Sequence, residues 1–139
     1  MLELIVVLAI MGLGVALVLP SLSGPMDSAR FRQGGAEVRA AMVQARARAA
    51  ATGRMRVVRF DLDRGEYGIP SDNLGRTLPG GVRLAAVAGP GATVERGVAE
   101  LRFFPDGSAD AAEVVLADAS DARLRLRVDP LTGLVEAGS

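Results

Sequence analysis

Residues 1–26, "MLELIVVLAIMGLGVALVLPSLSGPM", decide the architecture. After Glu3 no charged residue occurs before Asp27, and Leu4 to Leu19 is a continuous apolar run with Gly12 and Gly14 inside it. As a helix rising about 1.5 Å per residue, Leu4 to Met26 spans roughly 34 Å, the depth of a bilayer core. A run with no polar stripe does not suit the surface of a small domain. Its acidic start is the opposite of the basic start of a cleaved signal peptide. The stretch therefore predicts a membrane helix over residues 1–26. Glu3 stands at its lip. Among headgroups a carboxylate sits at little cost. Deeper in lipid an ionised one costs ~2.5–3.5 kcal/mol and calls for a positive partner, the obvious one being a free N-terminal amine on another chain. Pro20, lacking an amide hydrogen, predicts a kink or loosened turn near the end of the run. Membrane helices tolerate this where local adjustment satisfies the freed carbonyl.

Working outward, Ser23-Gly24-Pro25 is a breaker cluster that predicts a bend where the chain leaves the lipid. Beyond it Phe31, Gly35, Val38, Met42, Ala45 and Ala49 recur at alternating four- and three-residue spacing. They share one helical face, with Arg39, Arg46 and Arg48 largely off it. This amphipathic half, residues 27–52, packs its stripe on the domain's own sheet. Gly34-Gly35 weakens it by roughly 1 kcal/mol per Gly relative to Ala, and Gly53 is a natural stop. The spine is thus a helix from about residue 2 to 52, broken or bent near 20–25.

From Arg54 the period becomes two, and residues 53–139 read as a β-rich head. "RMRVVRFDL" sets Arg54, Arg56 and Arg59 against Met55, Val57 and Phe60, with a shift at Val57-Val58 that predicts a bulge. "DRGEYGI" turns the chain into a short return strand, "SDNLGRTLPGG" reads as loop, and Val82-Arg83-Leu84 begins another strand. "AGPGA" and "ERG" read as turns. Glu100 to Phe104, Glu113 to Ala117, Arg123 to Asp129 and Leu134 to Glu136 are further strands. About seven short strands predict an α+β fold in which the long N-terminal helix packs on an antiparallel two-sheet, sandwich-like head.

Composition excludes several functions. The 139 residues carry sixteen basic and sixteen acidic side chains, so no strongly basic surface awaits nucleic acid. Every basic residue is Arg, which with abundant Ala and Gly reads as genomic bias before function. With no Cys there is no disulfide, thiolate nucleophile or thiolate metal ligand, and with no His the commonest general base and transition-metal ligand are both missing. We expect no enzyme and no cofactor.

The string "LELIVVLAIMGLGVALVLP" resembles the N-terminus of type IV pilins and type II secretion pseudopilins. Leu2-Glu3-Leu4-Ile5-Val6-Val7, the apolar run after it, and Pro20 at the family's spacing from the glutamate carry the likeness. The family carries a short basic leader ending in Gly, usually followed by Phe-Thr-Leu, ahead of the Leu-Glu pair. Here Met1 precedes Leu2, so the residue whose amine is freed and N-methylated is not in view. Farther on, "LPGGVRL", "LRFFPDGSADAAEVVL" and "RLRVDPLTGLVEAG" resemble the minor pseudopilins of the H subfamily and the related FimT-like minor pilins, with Phe103 to Ser108 the most telling piece.

The resemblance implies a pilin-like fold and a non-catalytic minor subunit near the tip of a short periplasmic fibre that moves folded proteins through the outer-membrane secretin. It implies a single inner-membrane pass with the head in the periplasm, and prepilin peptidase acting on the precursor. Other minor and major pseudopilins would be partners through helix packing, with secreted cargo or the secretin as further contacts. By the same resemblance Glu3 pairs with the N-terminal amine of an adjacent subunit during assembly.

Three groups of residues invite a chemical reading. Asp106-Gly107-Ser108-Ala109-Asp110 places oxygens as a calcium loop would, but seven residues after Asp110 the required acid is replaced by Ala117. Gly107 and Asp106 suit a turn unaided. Asp61, Asp63 and Glu66 gather at the first hairpin, where acids could work in pairs, yet they flank a turn-forming Gly65 on an exposed tip. Arg123, Arg125 and Arg127 alternate along one strand and share a face. That is the pattern of a half-buried strand, and equally a row able to hold phosphates or an acidic partner. DNA capture, as some FimT-like pilins perform, is the alternative function, with Asp118, Asp121 and Asp129 placed to dilute the field.

Overall fold

A computed structural model describes residues 1–11, 26–73 and 75–138. One helix, α1, runs Leu2–Thr52. The kink at Pro20 and the break at 20–25 fall outside the described residues. Among the described residues no helix is long and apolar enough to cross a membrane. Residues 12–25, into which the apolar run continues, are not among them. The helix ends where the sequence places its stop, at Gly53 with φ 64°, a left-handed conformation that glycine adopts freely.

Nine strands follow among the described residues: β1 Arg56–Asp61, β2 Glu66–Ile69, β3 Leu74–Thr77, β4 Arg83–Gly89, β5 Ala92–Val94, β6 Val98–Phe103, β7 Ala112–Ala117, β8 Arg123–Val128 and β9 Val135–Gly138. They form two antiparallel sheets, ordered β3-β2-β1-β6 and β5-β4-β7-β8-β9. The helix packs on β1, β2 and β6 of the first and on β8 and β9 of the second, which is the expected helix-on-two-sheets architecture.

Three details depart from the sequence reading. β3 lies inside the expected loop: the 3-10 turn Pro70–Asp72 ends at Asn73 with φ 52°, which folds the next four residues back onto β2. β5 lies where only turns were expected. Pro90-Gly91 is a two-residue link between Gly89 and Ala92, with Gly91 at φ 84°, so the small residues on either side can pair. Finally, the bulge is not at Val57-Val58. β1 pairs with β6 in unbroken register from Arg56 opposite Phe103 to Asp61 opposite Val98. The double valine breaks the alternation because Arg56 itself occupies the inner face at the strand's mouth, its side chain 14 % exposed and 3.5 Å from Asp72. The register shift occurs instead in β4, between Leu84 and Ala86.

The predicted stripe is the helix's contribution to the core. Val38, Met42, Ala45 and Ala49 are fully buried and join Phe60, Leu101, Phe103, Leu116 and Leu126, with Phe31 packed at the margin. Gly35 is packed against β8, since a Cβ there would overlap Leu124 Cδ2. The helix arginines flanking the stripe are ties to the head. Arg39 Nε donates to Val135 O at 3.1 Å and Arg46 Nε to Thr132 O at 2.9 Å. Arg48 lies 3.2 Å from Asp72.

Candidate functional site

The first eleven residues lie beyond the head, and none of their side chains is covered by it. Leu2, Leu4, Ile5 and Leu8 are each at least 61 % exposed. Glu3 occupies the first helical turn, where Met1 supplies no side-chain cap, so its carboxylate faces the positive end of the helix dipole. It makes no ion pair among the described residues. Leu2 and Leu4 flank it on the same uncovered turn, whereas the Pro20 side chain is outside the description.

The sequence reading missed what lies on the outward face of the helix's second half. Ala36, Ala40, Val43, Ala47 and Ala50 are exposed at alternating four- and three-residue spacing. A solvent face of an amphipathic helix is ordinarily charged. This one is a ridge of small apolar residues, separated from the uncharged residues 4–26 by the exposed Asp27, Arg30 and Arg32. The signal was present as an alanine repeat out of phase with the core stripe.

Arg123, Arg125 and Arg127 do share the outer face of β8, with side chains 50 to 74 % exposed. The acids that answer them are only partly those expected. Glu113, on the neighbouring strand, lies 3.6 Å from Arg125 and 3.3 Å from Arg127, and Asp121 lies 3.7 Å from Arg123 and 2.9 Å from Arg83. Asp118 and Asp129 are spent inside their own turns. Asp118 Oδ1 accepts from the Ser120 hydroxyl and amide and from Ala122 N, and Asp129 Oδ1 from Leu131 N and Thr132 N. These bonds hold both carboxyls below the ordinary carboxylate range, the Ser120 hydroxyl dominating at Asp118 and the Thr132 amide at Asp129.

Asp106 and Asp110 are likewise engaged. Asp106 Oδ1 accepts from the Ser108 hydroxyl at 2.6 Å and its amide at 3.0 Å, which lowers its pKa. Asp110 is gripped by Arg102 through Nε at 3.0 Å and Nη2 at 3.3 Å. The would-be calcium loop is a turn followed by an ion pair, and among the described residues no group of three or more acids is placed to hold a metal. Asp61 and Glu66 stand opposite each other across β1 and β2, but Asp61 Oδ1 caps Arg64 N and Asp63 is exposed at the tip. Asp61 and Glu66 line an open trough of about 440 Å³ with Arg59, whose guanidinium is held by Glu100 at 2.8 Å.

One polar cluster was not anticipated. Asp72 receives both Arg48 and Arg56 at the junction of helix, β1 and the 3-10 turn. Nearby, Tyr67 is 3 % exposed and its hydroxyl has no hydrogen-bond partner among the described residues. Burial first, then the charge of Glu37, raises its pKa above 10.0.

The described surface thus offers a rod with an uncovered apolar end and a small-residue ridge, and a head whose arginine row on β8 is answered by Glu113 and Asp121. A family model, type II transport protein GspH, matches residues 35–132, from the Gly35 contact to the β8–β9 turn. No curated protein and no solved structure matches. The match spans well over half of the chain and covers the helix-to-sheet junction and both sheets: this chain belongs to the GspH family of type II transport proteins, a pseudopilin family.

Proposed function

We propose that the chain is a minor pseudopilin, a structural subunit of the type II secretion pseudopilus, assembled through its N-terminal helix and Glu3. The observation that carries this reading is the uncovered apolar turn around Glu3, with Leu2, Leu4, Ile5 and Leu8 exposed beyond the head. An apolar end of this kind is stable only in lipid or against other helices. The Ala36-to-Ala50 ridge allows a neighbouring helix to approach closely. In this reading residues 1–26 cross the inner membrane once, the head stands in the periplasm, and prepilin peptidase trims a precursor whose new amine is methylated. The rod packs on other minor and major pseudopilins, the fibre drives folded cargo toward the secretin, and no residue serves catalysis. Deleting the gene in a host secreting through this system should leave the exported protein in the periplasm, and sheared fibres from the parent should contain the chain beside its companion pseudopilins. Normal secretion without it, with none of it in the fibres, would overturn the proposal.

DNA capture draws on the outer face of β8, where Arg123, Arg125 and Arg127 are exposed. Their pairing with Glu113 and Asp121 favours the structural role. The full chain in detergent should give no mobility shift of duplex DNA even at low salt. A shift that fades as salt rises and is lost in Arg125→Ala would favour capture instead.

A further inference from the structure

We propose that the free edge of β6 receives an extended, uncharged segment from a neighbouring pseudopilin, adding a strand to the first sheet; this rests on the pseudopilin reading above. β6 ends the sheet: β1 is the one strand paired with it, and its other side carries only the bridge of Phe103 to Ala109. The phase of its backbone groups follows from Leu62 N donating to Gly97 O at 2.8 Å, in register with the ladder. Bonded pairs alternate in an antiparallel ladder, so residues 99, 101 and 103 point their N–H and C=O toward β1, while 98, 100 and 102 point theirs outward.

Half of that outward edge is already occupied by the chain itself. Asp110 N donates to Arg102 O at 3.0 Å, Arg102 N to an Asp110 carboxylate oxygen at 3.0 Å, and Phe104 N to Ser108 O at 2.9 Å. Residues 108–110 therefore lie along the edge as a short strand would, before the chain departs for β7. Among the described residues nothing continues this pairing past Asp110, and the N–H and C=O groups of Val98 and Glu100 have no partner. Such a row is a template for another backbone.

The surroundings specify what fits. The edge opens on a cleft of about 440 Å³ whose far wall is Val87, Gly89, Pro90, Ala92 and Val94 of β4 and β5. Glu100 is held by Arg59 and Arg102 by Asp110, so the cleft offers no spare charge. An incoming strand would turn small apolar side chains toward Val87 and Val94 and bond Val98 and Glu100 through its backbone. The cleft lies at the β5 end of the second sheet, whereas the helix packs at the β8–β9 end. A segment lodged here is thus added to the contacts of the rod and does not compete with them.

A photoreactive benzoylphenylalanine at position 98 of the full chain, made with its companion pseudopilins, tests this. It should crosslink to one pseudopilin of another kind, identified by mass, and at a single short segment of it. Glu100→Pro removes an outward N–H, which an edge strand tolerates, and should cut the crosslink at least tenfold with little change in melting temperature. Glu100→Ala, which keeps the N–H, should retain the crosslink. Should Glu100→Pro fail to fold, N-methylation of the Glu100 amide in a semisynthetic chain makes the same test. Crosslinking to a second copy, to exported protein, or equally in the Pro and Ala variants would overturn the inference. So would no crosslink from a chain shown to be in sheared fibres. Absence of the chain from fibres would count against the pseudopilin reading itself.

Discussion

At Gly35 the helix lies against β8 so that a methyl group fits only if Leu124 Cδ2 moves aside. Gly35→Ala gains about 1 kcal/mol of helix propensity but forces Leu124 outward, and overpacking of this sort costs about 1–3 kcal/mol. We expect a net loss of no more than about 2 kcal/mol in chemical denaturation, because the overlapping atom is the far end of a side chain that can turn aside. At Gly34 the nearest atoms to a Cβ are Val82 Cγ1 at 3.3 Å and Pro79 Cδ at 3.4 Å, so Gly34→Ala should be close to neutral. Tyr67 makes a second residue-level case. Its buried hydroxyl makes no well-formed hydrogen bond yet lies under the influence of Glu37 and Arg76, so Tyr67→Phe should shift stability by no more than about 1 kcal/mol. The chain has one Tyr and no Trp, so near-ultraviolet absorbance follows this phenol alone. Because its folded pKa is raised, the midpoint of ionisation should lie above 10.0, and stability should fall as pH rises through the folded value. Neither behaviour was legible in the sequence, since both depend on which strands the helix meets.

At the scale of elements, the core stripe Phe31 to Ala49 and the stop at Gly53 could be read from spacing, because a helix with one buried face must show its period. The lesser strands could not. β3 and β5 are made of Gly, Ala, Thr and Arg, and are strands only because turns at Asn73 and at Pro90-Gly91 lay them on a neighbour. Arg56 misled the register for a related reason: its inward position is tolerable only beside Asp72, which arrives from a turn sixteen residues on. Asp72→Ala leaves two guanidiniums, one largely buried, without their carboxylate, and should destabilise the head by about 2 kcal/mol. The turn aspartates give a pH signature. Asp106, Asp118 and Asp129 have lowered folded pKa values, so their contribution is fully present above the unfolded value near ~3.9 and is lost as pH falls through the folded values. Thermal melts should be flat in this respect from neutral pH down to about 5 and drop below about 4. Asp129→Asn should lessen that acid-side drop.

For the whole molecule, the family was legible in the Phe103-to-Ser108 stretch, which depends on local sequence and lies inside the matched residues 35–132; the acid ahead of the apolar run lies outside them. The Arg row was legible as a face. Its neutralisation by Glu113 was not, because that pairing belongs to the β7–β8 register, in which Glu113 stands opposite Arg127. Of the candidate calcium loop and hairpin acids, Asp106 and Asp61 are bonded inside their own turns, as the local sequence suggests, whereas the hold of Arg102 on Asp110 needs β6 in place. The rod's own surface is left uncovered around Glu3 and along the Ala36-to-Ala50 ridge.

The most direct measurement is fibre incorporation of Glu3→Ala in the full chain, read as the ratio of protein in sheared fibres to protein in the membrane fraction. Loss of the first-turn acid costs its own helix only about 0.3–1 kcal/mol, so the variant should insert and fold. The pseudopilin account predicts that its fibre-to-membrane ratio falls at least tenfold. An unchanged ratio, with the variant entering fibres as readily as the parent, would contradict it.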